Sequence, residues 1–110
     1  MADRLGVRLK FNHSRRVRTD TRAKLAAAIA GAAHQIEAGA KTRAPVDTGN
    51  LRNSISADQI DALSWAVTVG ALYGAYVEFG TRHQAPRPFL IPAVDAVRPQ
   101  FEQAIRRALK

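Results

Sequence analysis

The chain has 110 residues, enough for one small domain with a single core and too short for two. Apolar residues make up 46% and prolines number five, which is the composition of a folded domain, and with no cysteine there is neither a disulfide nor a thiolate metal site. The net charge of +8, with seven cations in the first 22 residues, suits nucleic acid, an acidic protein surface or simply a solvated basic face.

No apolar run approaches the roughly 20 residues of a membrane span, and no signal-peptide-like segment opens the chain. The expectation is a soluble protein made in the cytoplasm, with no membrane contact.

In chain order, Leu5, Val7, Leu9 and Phe11 alternate with Gly6, Arg8 and Lys10, the period of a strand with one buried face. Asn12 to Thr19 is a polar, basic arm carrying Arg15, Arg16 and Arg18. Asp20 is placed to cap a helix running to about Arg43, with Leu25, Ile29, Ala32, Ala33, Ile36 and Ala40 along one stripe. Alanine dominates that stripe and Gly31 and Gly39 lie inside the helix, so the face allows close approach but gains little from burial. Pro45 ends the helix, because the residue before a proline is pushed out of the helical region.

Asp47-Thr48-Gly49 is the catalytic triplet of aspartic proteases, which require it after an apolar strand in an almost all-β dimer. Here it follows an alanine-rich helix and a proline. A turn accounts for each residue: Asp47 bonding to nearby amides, Thr48 adding a hydroxyl, Gly49 taking a positive φ. Leu51 then starts a strand in which Leu51, Asn53, Ile55 and Ala57 share one face. A turn around Asp58 to Asp61 leads to a second strand through Leu63, Trp65, Val67 and Val69, giving an antiparallel hairpin.

Tyr73 to Gly80 fits two periods, a strand with Tyr73, Ala75, Val77 and Phe79 on one face or a short helix ended by Gly80, and the helix is the expectation; Thr81 to Arg87 reads as a polar loop. Phe89 to Ile91 reads as a short buried strand. Pro92 marks the start of a last helix, Asp95 favours its first turn, and Pro99 kinks or restarts it. The sum is an α+β fold: a long N-terminal helix packed on a small antiparallel sheet, with a C-terminal helix. Residues 1–110 form a single domain, with 1–19 a strand plus basic arm ahead of the main body.

Catalytic and metal signals are weak. His13, His34 and His83 are far apart, with only His34 and Glu37 sharing a helix face, and Ser54, Ser56 and Ser64 lack a nucleophile-elbow context. There is no glycine-rich phosphate loop. No enzymatic activity, metal or cofactor is expected.

Three motifs in order carry a resemblance. They are Arg43 to Ile55 around Asp47, Thr48, Gly49 and Leu51; then Tyr76, Glu78, Gly80 and Thr81; then Pro88, Phe89, Pro92 and Ala93. Over residues 20 to 110 the chain resembles the neck or tail-completion proteins of long-tailed bacteriophages, leaving the first 19 residues uncovered. The resemblance implies a structural virion protein, a homo-oligomer forming a ring of about six copies in the neck. Its partners would be the head connector or stopper and the tail terminator or tail tube, with a passing contact to genomic double-stranded DNA.

On that basis Arg15, Arg16, Arg18, Arg22, Arg82 and Arg87 are candidate interface or DNA-facing residues. Glu78 is either a partner for an arginine such as Arg82 or Arg87 or an exposed carboxylate, and Phe89 is an anchor in a pocket of its own subunit or of an adjacent one, its own being the expectation. The competing reading is a small basic nucleic-acid-binding domain, whose affinity for free DNA would fall steeply with salt.

Overall fold

In the computed structural model, which describes residues 8–12, 19–45, 50–71 and 73–109, everything is organised around one long helix. This is α1 (Thr19–Arg43), and it buries the whole predicted stripe: Leu25, Ile29, Ala32, Ala33, Ile36 and Ala40. Asp20 lies inside its first turn rather than at the cap, since the helix begins one residue earlier. Its last turn carries Lys41 and Arg43, favourable at the negative end of the helix dipole, and Ala44-Pro45 follows.

One side of α1 packs on a three-stranded antiparallel sheet in the order β1-β3-β2, from β1 (Arg8–Asn12), β2 (Ile55–Asp61) and β3 (Ser64–Val69). The other side packs on α4 (Leu90–Ala108). Between β3 and α4 lies the short helix α3 (Gly74–Phe79), and a single turn, α2 (Asn50–Asn53), precedes β2. The fold is α+β, a long helix on a small antiparallel sheet with a C-terminal helix. Arg8 pairs with Thr68 and Asn12 with Ser64, so the N-terminal strand is an integral edge of the sheet.

The core has two parts joined through α1. The larger holds Ala33, Ile36 and Ala40 against Leu51, Ile55, Val67 and Val69 of the sheet side and Phe89, Leu90 and Ala93 of α4. The smaller holds Leu25, Ile29, Leu63 and Ala108, with Trp65 and Phe101 packed against both. Each fully buried leucine or isoleucine contributes roughly 2 kcal/mol and each alanine far less. Alanine is nonetheless what brings the two helices together: a Cβ at Gly39 would lie 3.3 Å from that of Ala93.

Four boundaries differ from the sequence expectation. Leu51 does not start a strand but sits in α2, where the Ser54 amide reaches the carbonyls of Asn50 and Leu51 and the Ser54 hydroxyl donates to Leu51 O at 2.7 Å. Leu51 and Ile55 are both buried, and their spacing of four fits a helical turn as well as a strand. The hairpin turn is Ala62-Leu63 rather than Asp58 to Asp61. Asp58 pairs with Ala66 and Gln59 with Trp65, a bulge follows Gln59, and the Asp61 carboxylate accepts from the Leu63 amide at 2.9 Å.

Phe89 to Ile91 is not a strand, because Phe89 is the N-cap of α4 and the helix starts at Leu90. That places Pro92 inside the first turn and Asp95 beyond it, 3.7 Å from Arg98. The helix continues through Pro99, which is exposed, as is Asp95, whose carbonyl loses its partner on the solvent side.

At the free edge of β2, the Ala57 amide donates to the Glu37 carboxylate at 3.0 Å, so α1 covers part of an edge that would otherwise be open to strand addition. His34, on the same turn of α1, meets Trp65 edge-on at 5.0 Å and lies 3.6 Å from Glu37. The His34–Glu37 pair thus braces helix against sheet.

The helix–helix contact predicts opposite effects from two small changes. Ala93→Leu overfills a fully buried site and should cost about 1–3 kcal/mol. Gly31→Ala, where nothing lies within 4 Å of the added Cβ, should stabilise by about 1 kcal/mol. Thermal denaturation of both variants, with melting temperatures moving in opposite directions, is the check.

Candidate interaction site around helix α3

Helix α3 is only six residues long, too short to stand without tertiary support. At its start a Cβ on Gly74 would come within 2.6 Å of Val69 Cγ1, so only glycine lets the helix lie this close to β3. At its end Gly80 has φ 77° and ψ 176°, a region reached essentially by glycine alone, and a Cβ there would meet Pro86 N at 2.8 Å. The chain can therefore turn sharply into the following loop.

That loop is tied at both ends. Thr81 and Gln84 exchange backbone hydrogen bonds, and the Thr81 hydroxyl accepts from the amides of His83 and Gln84, both at 3.1 Å. The Arg87 amide donates to the Val77 carbonyl at 2.8 Å, bringing the loop back onto α3. Pro88, exposed, then leads to the fully buried Phe89, which anchors within its own subunit.

Glu78 closes the arrangement. It is neither an exposed carboxylate nor the partner of an arginine: it is 3% exposed, and its oxygens accept from the amides of Phe89 at 3.0 Å, Leu90 at 2.8 Å and Ile91 at 3.0 Å. A helix start leaves four amides without internal partners. In α4 three of them bond Glu78, and the fourth position is Pro92, which has no N–H. The negative charge also faces the positive end of the α4 dipole. Glu78, Gly80, Thr81, Phe89 and Pro92, predicted from separate motifs, meet in this one junction.

The outward side of α3 is aromatic. Tyr73, Tyr76 and Phe79, three residues apart on one face, are 37%, 58% and 61% exposed. Beside them an open groove of about 340 Å³ is lined by Pro45, Leu51, Tyr73, Tyr76, Val77, Thr81, Gln84 and Arg87. Arg82 is exposed in the same loop, and Arg22 is exposed on the first turns of α1. Asp47, Thr48 and Gly49, and likewise Arg15, Arg16 and Arg18, lie outside the described residues.

Sequence reasoning missed the role of Glu78 and the exposure of Tyr73 and Phe79. The first had a signal: Pro88-Phe-Leu-Ile-Pro92 opens a helix with no capping side chain of its own, so an acceptor must come from elsewhere. Among the described residues no group of three His, Cys, Asp or Glu side chains is placed to hold a metal, and no helix is long and apolar enough to cross a membrane.

Glu78→Gln keeps one acceptor oxygen but turns a donor toward the amides, and should cost about 2–3 kcal/mol; Glu78→Ala should cost about 3–5 kcal/mol. Gly80→Ala should cost about 1–3 kcal/mol through its backbone region. Urea denaturation of the three variants checks the order, Ala at 78 being the most destabilised.

A family model described as "Bacteriophage HK97-gp10, putative tail-component" matches residues 8–80. Neither a curated protein nor a solved structure gives a significant match. The match begins in β1, so the N-terminal strand belongs to the family domain, which the sequence motifs had left uncovered, and it ends at Gly80, before the Pro88–Ala93 motif. Covering 73 of the 110 residues, it shows that the chain belongs to the HK97-gp10-like family of bacteriophage tail components.

Proposed function

We propose that this tail component is a structural, non-enzymatic subunit that assembles as a ring, of about six copies, in the neck of a long-tailed phage. There it completes the tail and joins it to the head connector. The observation that carries the reading is the outward aromatic face of α3, Tyr73, Tyr76 and Phe79, on a domain matched to a tail-component family. Exposed tyrosine and phenylalanine on one helical face are what an interface core is made of. Supporting it, the one buried carboxylate among the described residues, Glu78, is engaged by three backbone amides and so holds architecture together.

The partners are other copies of the chain, the connector or stopper on the head side, and the terminator or tube on the tail side. A +8 chain repeated around a channel would bind passing DNA strongly if all its cations faced the lumen. Most of them therefore face acidic surfaces of adjoining rings, leaving at most a girdle on the genome. The same charge favours the second reading, a free-standing nucleic-acid-binding domain. Sub-micromolar binding of the isolated chain to free DNA, lost steeply with salt, would favour that reading over the neck.

Disrupting the gene in the phage gives the direct test. The expected outcome is filled heads and separate tails in the micrographs, with joining restored by adding the purified chain; intact joined particles would contradict the proposal. Phage carrying Asp47→Asn should assemble normally, whereas abolition of a hydrolytic activity by that change would reinstate an enzymatic reading.

A further inference from the structure

The charge of this chain is strongly segregated. Residues 53 to 81 contain no lysine or arginine, although the chain carries 17, and their acids are Asp58, Asp61 and Glu78. Glu78 is buried in the α4 cap, so the outward charge of this stretch is at the tip of the β2–β3 hairpin. There Asp58 and Asp61 are exposed and flank Ile60, which the bulge after Gln59 displaces from the regular ladder and leaves 43% exposed. Ile60 is thus an apolar side chain set between two carboxylates at the tip.

The complementary surface is on the same molecule at the opposite end of the same hairpin. Ile55 and Val69 pair at the end where α3 packs, while Asp61 and Ser64 pair at the tip. The six residue steps between them span roughly 20 Å. The groove beside α3 has an apolar floor from Leu51, Val77 and Tyr76, a basic rim from Arg87 with Arg82 in the adjoining loop, and, among the described residues, no carboxylate in its lining. Its volume of about 340 Å³ accommodates an isoleucine side chain with parts of its neighbours.

We propose that the hairpin tip of one copy docks into the α3 groove of the next. Ile60 enters between Tyr76 and Val77, and Asp58 and Asp61 face the loop that carries the exposed Arg82. The two patches are different and lie at opposite ends of the hairpin, so the contact is head-to-tail, the kind that closes into a ring when the rotation between copies allows. A single hairpin tip buries little surface, so free subunits associate weakly and the ring forms beside its neighbours in the particle. The proposal rests on the ring reading above for its setting and adds which surfaces meet.

The absence of cysteine makes the test clean. Phage are built with Ile60→Cys together with Gln84→Cys, and assembled tails are oxidised and run without reductant. The expected result is a ladder of cross-linked species from dimer upward, with neither single variant giving more than a dimer. A multi-copy ring with no ladder overturns the docking while leaving the ring reading standing; one copy per particle removes both. As a second arm, Asp58→Arg, which leaves the Asp61 turn bond in place, should lower phage titre at least 100-fold in a subunit that remains folded, and adding Arg82→Asp should restore it. Failure of that rescue, with all variants folded, also overturns the docking.

Discussion

A buried carboxylate reaching three successive amides fixes the relation between two helices that the core alone holds only loosely. Glu78 belongs to a helix too short to persist unaided, and its partners open the helix that covers α1. The bonds, at 2.8–3.0 Å, run to a carboxylate largely sheltered from water, so they fix direction as well as contributing energy. Once Glu78 points inward, Tyr73, Tyr76 and Phe79 point outward, because the residues between them, Gly74, Ala75, Val77 and Glu78, occupy the buried and half-buried side of the helix. The interaction face is thus a consequence of the cap.

The rest of the architecture shows the same economy. The stripe of α1 is mostly alanine, and at Gly39 an added Cβ would lie 3.3 Å from that of Ala93 on α4. Such packing gives geometry at small energetic gain per residue, leaving a domain whose stability depends on a few larger side chains, Phe89, Ile29, Ile36 and Leu51 among them. A subunit of this kind gains from burial against a neighbour, and its aromatic face and acid-flanked Ile60 are where that burial would come from.

Much of this was legible in the sequence. All six apolar positions assigned to α1 are buried, Gly80 ends α3 as expected, and the β2 and β3 segments pair antiparallel, because each rests on a strong period or a residue with one conformational use. The errors fell where two periods coincide, as at Leu51 and Ile55, and where a neighbour outside the local window decides. Phe89-Leu-Ile91 has strand-forming composition, but a carboxylate eleven to thirteen residues upstream makes it a helix start. Glu78 was singled out for the wrong partner: backbone amides leave no side-chain signature to pair it with. The turn at Asp47, Thr48 and Gly49 lies outside the described residues.

Native-state hydrogen exchange followed residue by residue tests the cap most directly. The amides of Phe89, Leu90 and Ile91, though ahead of the first intrahelical bond, should be protected to nearly the same degree as those in the middle of α1. In Glu78→Gln that protection should fall at these three positions first. Exchange of the same amides at the rate of an open chain in the unsubstituted protein would show that Glu78 does not hold α4, and the account of the outward face built upon it would fall with it.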